Sequence, residues 1–184
     1  MLFIITGKTA SGKDTLISKI LEKYPNLGKV LTTTSRIPRP GEKNGIHYNF
    51  ISKKKFKQKI KKGDFLEYVE YGGNFYGTEK SRIDPKKDLI WKTDPSWAGK
   101  AKQFLTGYQV VVIYITTDKG IILERLQSRG LDSEGIKKRM LDDQKFWEKY
   151  ESKYDYIIQN EPGKLSQTVV NICRIINSSS YENL

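Results

Sequence analysis

Met1-Leu2-Phe3-Ile4-Ile5-Thr6-Gly7-Lys8-Thr9-Ala10-Ser11-Gly12-Lys13-Asp14-Thr15 is the stretch that decides the fold. Leu2 to Thr6 is an apolar run of strand length that ends at a glycine. Beyond it, Leu16, Ile17, Ile20 and Leu21 recur at helical spacing until Tyr24-Pro25-Asn26 stops the pattern. Between strand and helix lies glycine, four residues, glycine, lysine. The two glycines let the backbone curl so that successive N–H groups face an anion, and the helix that starts there adds its positive end. Lys13 then reaches toward β- and γ-phosphates. A chance glycine-rich turn would not sit between a buried strand and an amphipathic helix, so the stretch reads as a phosphate-binding loop.

Outward from this loop, strand-like and helix-like stretches alternate. Val30 to Thr34, Phe65 to Tyr71, Asp88 to Trp91, Val110 to Ile115 and Tyr156 to Ile158 read as strands. Helical spacing marks Phe56 and Ile60, Ile121 to Leu126, Ile136 to Trp147, and Leu165 to Ile176. Such alternation predicts an α/β fold, a parallel sheet covered by helices on both faces. The polar tail from Ser178 to Leu184 is expected to fray. With 184 residues, no repeat and no linker, one domain is expected.

The 33 Lys and Arg against 21 Asp and Glu give a net charge of +12, which suits an anionic ligand. Many of these lysines fall on one helix, Lys53 to Lys62, and read as a solvated face; no nucleic-acid motif accompanies them. No apolar run spans a membrane, the first residues lack a signal-peptide pattern, and the lone Cys173 excludes an intramolecular disulfide. A cytoplasmic protein, monomer or homodimer, is the expectation.

A second signal is Thr32-Thr33-Thr34-Ser35-Arg36-Ile37-Pro38-Arg39-Pro40-Gly41-Glu42, where two arginines flanked by prolines can fork onto one phosphate. Phe65-Leu66-Glu67-Tyr68 and Gly73-Asn74-Phe75-Tyr76-Gly77-Thr78 follow. Later come Arg125-Leu126, Arg129-Gly130, Ile136 to Arg139, and Tyr154 to Asn160. In this order the motifs resemble the guanylate kinase family over nearly the whole chain. The resemblance implies a P-loop core (residues 1–31, 84–125 and 154–177), a nucleoside monophosphate-binding region (32–83) and a helical lid (126–150).

It implies ATP and Mg²⁺ as cofactors and GMP or dGMP as acceptor. The donor set would be Gly7 to Thr15 (Gly7, Lys8, Thr9, Ala10, Ser11, Gly12, Lys13, Asp14, Thr15) with Arg125 and Asn160. The acceptor set would be Thr32, Arg36, Arg39, Tyr48, Glu67, Tyr76, Gly77, Thr78 and Asp94, and Lys13, Arg36, Arg129 and Arg139 would serve catalysis. A carboxylate at Glu67 accepts both adjacent donors of guanine but faces a lone pair of adenine; Thr32 and Thr78 can donate to guanine O6. Taken alone, Tyr48 and Tyr76 read as core aromatics and Glu67 as a surface strand residue. The single His47 reads as a loop residue rather than a base.

Two positions depart from the family pattern. Asp14 stands where a Ser or Thr normally binds Mg²⁺, and as a hard oxygen ligand it can hold the metal itself. Lys92 stands where the first aspartate of an Asp-x-Asp pair is usual. Lys92 can contact a phosphate, pair with Asp14, or weaken the metal network. Two alternatives remain at this stage: a monophosphate kinase of altered base choice, and a non-catalytic module that binds phosphopeptides.

Overall fold

A computed structural model describes residues 1–71 and 73–181. Strand β1 (Leu2–Gly7) is buried along its whole length and runs through the phosphate loop into α1 (Lys13–Lys23). β2 (Gly28–Val30) follows, then β3 (Thr33–Thr34), β4 (Asn49–Phe50), α2 (Lys53–Lys61), β5 (Phe65–Tyr71) and β6 (Asn74–Glu79). The chain returns through β7 (Leu89–Lys92), the short helices α3 (Pro95–Ala98) and α4 (Ala101–Phe104), and β8 (Val110–Thr116). It ends with α5 (Lys119–Ser128), α6 (Ser133–Tyr150), β9 (Tyr156–Gln159) and α7 (Leu165–Tyr181). Aspartate side chains start α5 and α6: Asp118 accepts from Gly120 N–H at 2.7 Å, and Asp132 from Gly135 N–H at 2.8 Å.

The expected parallel sheet is present, with five strands in the order β2-β7-β1-β8-β9. Its strands divide their side chains by simple alternation. Leu2 and Ile4 join Leu89, Trp91, Val112 and Tyr114 on one face, beneath residues of α3, α4 and α6. Phe3 and Ile5 join Ile90, Ile113 and Ile115 on the other, beneath Leu16, Ile17 and Ile20 of α1 and Val169, Ile172 and Ile176 of α7. Helices thus cover both faces of one sheet, and the loop after β1 emerges at its carboxyl edge, where parallel sheets bind ligands.

Val30 to Thr34 is not one strand. Val30 pairs with Trp91 in the large sheet, whereas Thr34 pairs with Tyr76 in a second, four-stranded sheet ordered β4-β3-β6-β5. β-branched residues announce extended backbone but not which partner it finds. β6 is a further strand, antiparallel to both β3 and β5 within the small sheet. The expected frayed tail is also corrected: α7 continues to Tyr181, the Ser178 hydroxyl donating to Ile175 C=O at 3.1 Å. Residues 182–184 of that tail lie outside the described residues. Among the described residues, no helix is long and apolar enough to cross a membrane.

Candidate active site

Gly7 takes φ +136°, and a Cβ placed there would lie 2.0 Å from Ile115 C=O; only glycine lets β1 leave the sheet so close to β8. Gly12, at φ +90°, begins α1 with no side-chain cap, so the helix offers its first N–H groups to whatever lies above it. Lys13 folds back over the loop and donates to Gly7 C=O at 3.0 Å and Lys8 C=O at 2.6 Å. Burial, and then the neighbouring Lys92 charge, push its ammonium down to about 8.

A cavity of about 420 Å³ opens above the loop. Gly7, Thr9 to Thr15 and the arginines Arg129 and Arg139 line it. So do Thr32, Arg39, Tyr48, Glu67, Tyr76 and Asp94. Residues from three separate parts of the sequence therefore face one space. Its cations face each other too: burial and then Arg39 hold the Arg129 guanidinium below its usual value. An anion in the cavity relieves that repulsion.

Glu67 owes its place to an irregularity. Strict alternation along β5 would put it beside Phe65, which stacks on Phe56 of α2 with ring centroids 4.3 Å apart. A bulge between Phe65 and Glu67 sets Glu67 opposite Thr78 instead, and turns it into the cavity. The Thr78 hydroxyl donates to Glu67 at 2.7 Å and accepts from the Trp91 indole N–H at 3.1 Å. Glu67 is only 7% exposed, and burial raises its carboxyl to about 7 against the opposing Thr78 hydrogen bonds. The single Thr78 proton is thus given to Glu67, and Thr78 itself does not line the cavity; nor does Gly77.

Other candidate residues are placed differently from one another. Arg36 gives one guanidinium nitrogen to both oxygens of Glu42, at 2.8 and 2.9 Å, and another to Ile37 C=O; it stands behind Tyr48 rather than in the cavity. Arg39 is at the wall. Asp94 lines the cavity while its Oδ1 caps α3, accepting from Ser96 and Trp97 N–H. Arg125 and Asn160 lie beneath the phosphate loop, donating to Ala10 C=O at 2.7 Å and Ser11 C=O at 2.8 Å. They hold Ala10 at φ +54°, a left-handed conformation that side chains other than glycine rarely adopt. His47 accepts from Lys43 N–H within its own loop, as a loop residue would.

One contact was not expected from the sequence, and one of the expected pairings forms. Asp143, on α6, accepts the Thr9 N–H of the phosphate loop at 2.7 Å, so a carboxylate already rests against the nest of amides. Nothing in the spacing of α6 announces this contact. The second departure from the family pattern resolves into a pair: Lys92 donates to Asp14 at 2.5 Å and to the Tyr48 hydroxyl at 2.8 Å. Burial would raise the Asp14 carboxyl, but the adjacent Lys92 holds it below its usual value.

The guanylate kinase family model matches residues 1–179. The chain belongs to the guanylate kinase family. Among curated relatives, the guanylate kinase of Helicobacter pylori is 37% identical over 174 residues, covering 92% of this chain and 84% of that protein. The guanylate kinase of Hydrogenovibrio crunogenus is 34% identical over 163 residues, 86% of this chain and 79% of its own. The crystal structure of guanylate kinase from Anaplasma phagocytophilum superposes with a TM-score of 0.71 at 25% identity, covering 100% of this chain and 87% of that one. Family membership makes this chain a phosphotransferase of nucleotides, with guanylate kinase activity, and implies the use of ATP.

Proposed function

We propose that this member of the family moves the γ-phosphoryl group of Mg²⁺-bound ATP onto the phosphate of GMP or dGMP, with Glu67 reading the base. The observation that supports the assignment is the one cavity that the phosphate loop and the buried Glu67 carboxyl both line. Guanine N1–H and its exocyclic amine give two donors to one carboxylate. Adenine offers N1 as a lone pair, leaving a buried acceptor unpaired at a cost of about 1–3 kcal/mol. Arg39, Tyr48 and Tyr76 bind the acceptor phosphate. Arg36 joins them by exchanging Glu42 for a phosphate oxygen.

Chemistry of this kind needs positioning and charge more than proton transfer, because the acceptor oxygen is already largely ionised at neutral pH. Lys13 and the open N-terminus of α1 hold the donor phosphates. Arg129 and Arg139 neutralise charge that develops on the transferring group. With the α5–α6 region as a lid, water is excluded as a competing acceptor. Arg125 and Asn160 act by bracing the loop from below.

Mg²⁺ is compatible with the donor set. Among the described residues there is no group of three or more His, Cys, Asp or Glu placed to hold a metal. Mg²⁺ needs no such cage, since it keeps several waters and takes one or two carboxylates plus substrate phosphates. Asp14, with one oxygen paired to Lys92 and a side chain 76% exposed to the cavity, would supply the protein ligand. When bound, the ion offsets phosphate charge.

A coupled ADP-release assay with ATP, Mg²⁺ and a panel of ribo- and deoxy-monophosphates tests the proposal. Turnover restricted to GMP and dGMP is expected. Equal turnover with AMP refutes the role of Glu67, and no turnover with any acceptor refutes the whole reading.

A further inference from the structure

Lys92 is the last residue of β7, at the carboxyl edge of the large sheet and in register with Ile5 just before the phosphate loop. Its ammonium joins two elements that are separate in the sequence. On one side it donates to Asp14, next to Lys13 in the donor loop; on the other it donates to Tyr48, in the segment leading to the small sheet. The same nitrogen lies 4.7 Å from the Tyr48 ring centroid. The side chain lines the cavity and is 20% exposed, while its acidic partner is 76% exposed.

Stability does not account for this arrangement. An ion pair whose acid is open to solvent contributes little, because water and salt screen it. A half-apolar side chain drawn under the cavity floor, with its charge aimed at the seam between two nucleotide sites, is instead suited to phosphate. Two of its three protons go to Asp14 and Tyr48, both of which a phosphate oxygen can replace as partners.

We propose that Lys92 is a further catalytic residue, whose ammonium contacts the acceptor phosphate and the phosphoryl group in transit. This rests on the functional reading above. Lys92 brings a positive charge to the meeting point of two anionic nucleotides. Asp14, across from it, keeps the local charge balanced until they arrive. The acidic position on the donor loop and the basic position on β7 thus form one device.

The test uses Lys92→Met, Lys92→Gln and the double variant Asp14→Asn/Lys92→Met. Thermal melting, calorimetric affinities for GMP and ATP, and steady-state kcat are measured on each. Lys92→Met is expected to melt near the wild type, to bind GMP about tenfold more weakly, and to lose about a hundredfold in kcat, the range for charge-assisted bonds that strengthen in the transition state. ATP affinity changes less. The double variant does not recover. Wild-type GMP affinity and kcat in Lys92→Met overturn the assignment, and so does full recovery in the double variant, which would make the pair a structural one. Lys92→Gln, of similar length and still polar, gives the same readings if the methionine variant fails to fold. Turnover of GMP by the wild type separates the two levels: without it the functional reading falls and takes this assignment along, whereas with it only matching Lys92 variants refute the inference.

Discussion

If Glu67 reads guanine as proposed, protonating it should weaken the binding of GMP. Burial raises this carboxyl to about 7, from an ordinary value of 4.5. Guanine donates two N–H groups to the ionised form, so binding competes with protonation. The ionised fraction is about 0.9 at pH 8 and about 0.1 at pH 6, which weakens apparent affinity by about tenfold over that interval. GMP has a titration of its own, its second phosphate pKa lying near about 6. Glu67→Gln supplies the background: it cannot titrate, and it keeps the phosphate contribution. Isothermal calorimetry of GMP at pH 6, 7 and 8 should show the wild type falling about tenfold further than the variant. Adenine behaves oppositely, since protonated Glu67 can donate to N1; discrimination between GMP and AMP should narrow at pH 6. Stability follows the same proton. With a folded pKa above the unfolded one, the folded state binds more protons between them, so the Glu67 contribution falls as pH rises from 4.5 through about 7. Parallel affinity profiles for the wild type and Glu67→Gln would refute the reasoning.

Three further outcomes are expected. Asp143→Asn removes a carboxylate that competes with phosphate for the Thr9 N–H, and ATP should bind about fivefold more tightly by calorimetry, the equivalent of about 1 kcal/mol; weaker binding would show that Asp143 orders the loop instead. Asn160→Ala leaves Ser11 C=O unpaired in a residue environment only 5% exposed, and urea unfolding should record a loss of about 1–3 kcal/mol; an unchanged midpoint would remove its bracing role. Gly7→Ala would set a methyl group 2.0 Å from Ile115 C=O, so the chain should fail to give soluble folded protein, and a wild-type melting curve would contradict the close approach of β1 and β8.

The form of the glycine-rich loop was legible because it is local: glycine spacing, an apolar strand before it and an amphipathic helix after it all lie within one short segment. The large sheet was legible for a similar reason, through runs such as Val110 to Ile115 that are buried on both faces. What escaped depends on partners distant in sequence. The division of Val30 to Thr34 between two sheets follows from pairings with Trp91 and Tyr76, not from its own composition. Glu67 reached the cavity through a bulge that strict alternation does not reveal. Asp143 meets Thr9 across 134 positions, and its neighbours on α6 are ordinary helix formers. Arg36, marked as a phosphate ligand by its motif, is held by Glu42 six residues away, an ion pair as visible in the sequence as the motif itself. Lys92 and Asp14 were legible as two exceptions of opposite charge, and their pairing, one of three roles open to Lys92, is the one the geometry shows.

The chain crosses between its two sheets twice, once at residues 31–32 and again at 80–88. A plate fixed at two points keeps one easy freedom, rotation about the line joining them. The small sheet, carrying Glu67, Tyr76 and Arg39's segment, is therefore joined to the large one through two connections, and the Trp91–Thr78, Lys92–Tyr48 and Lys29–Ile46 hydrogen bonds pin the seam between them. On the proposed function, an acceptor held by Glu67 would be carried by that sheet, so a small change in the angle at the two connections would set how its phosphate lines up with the donor loop.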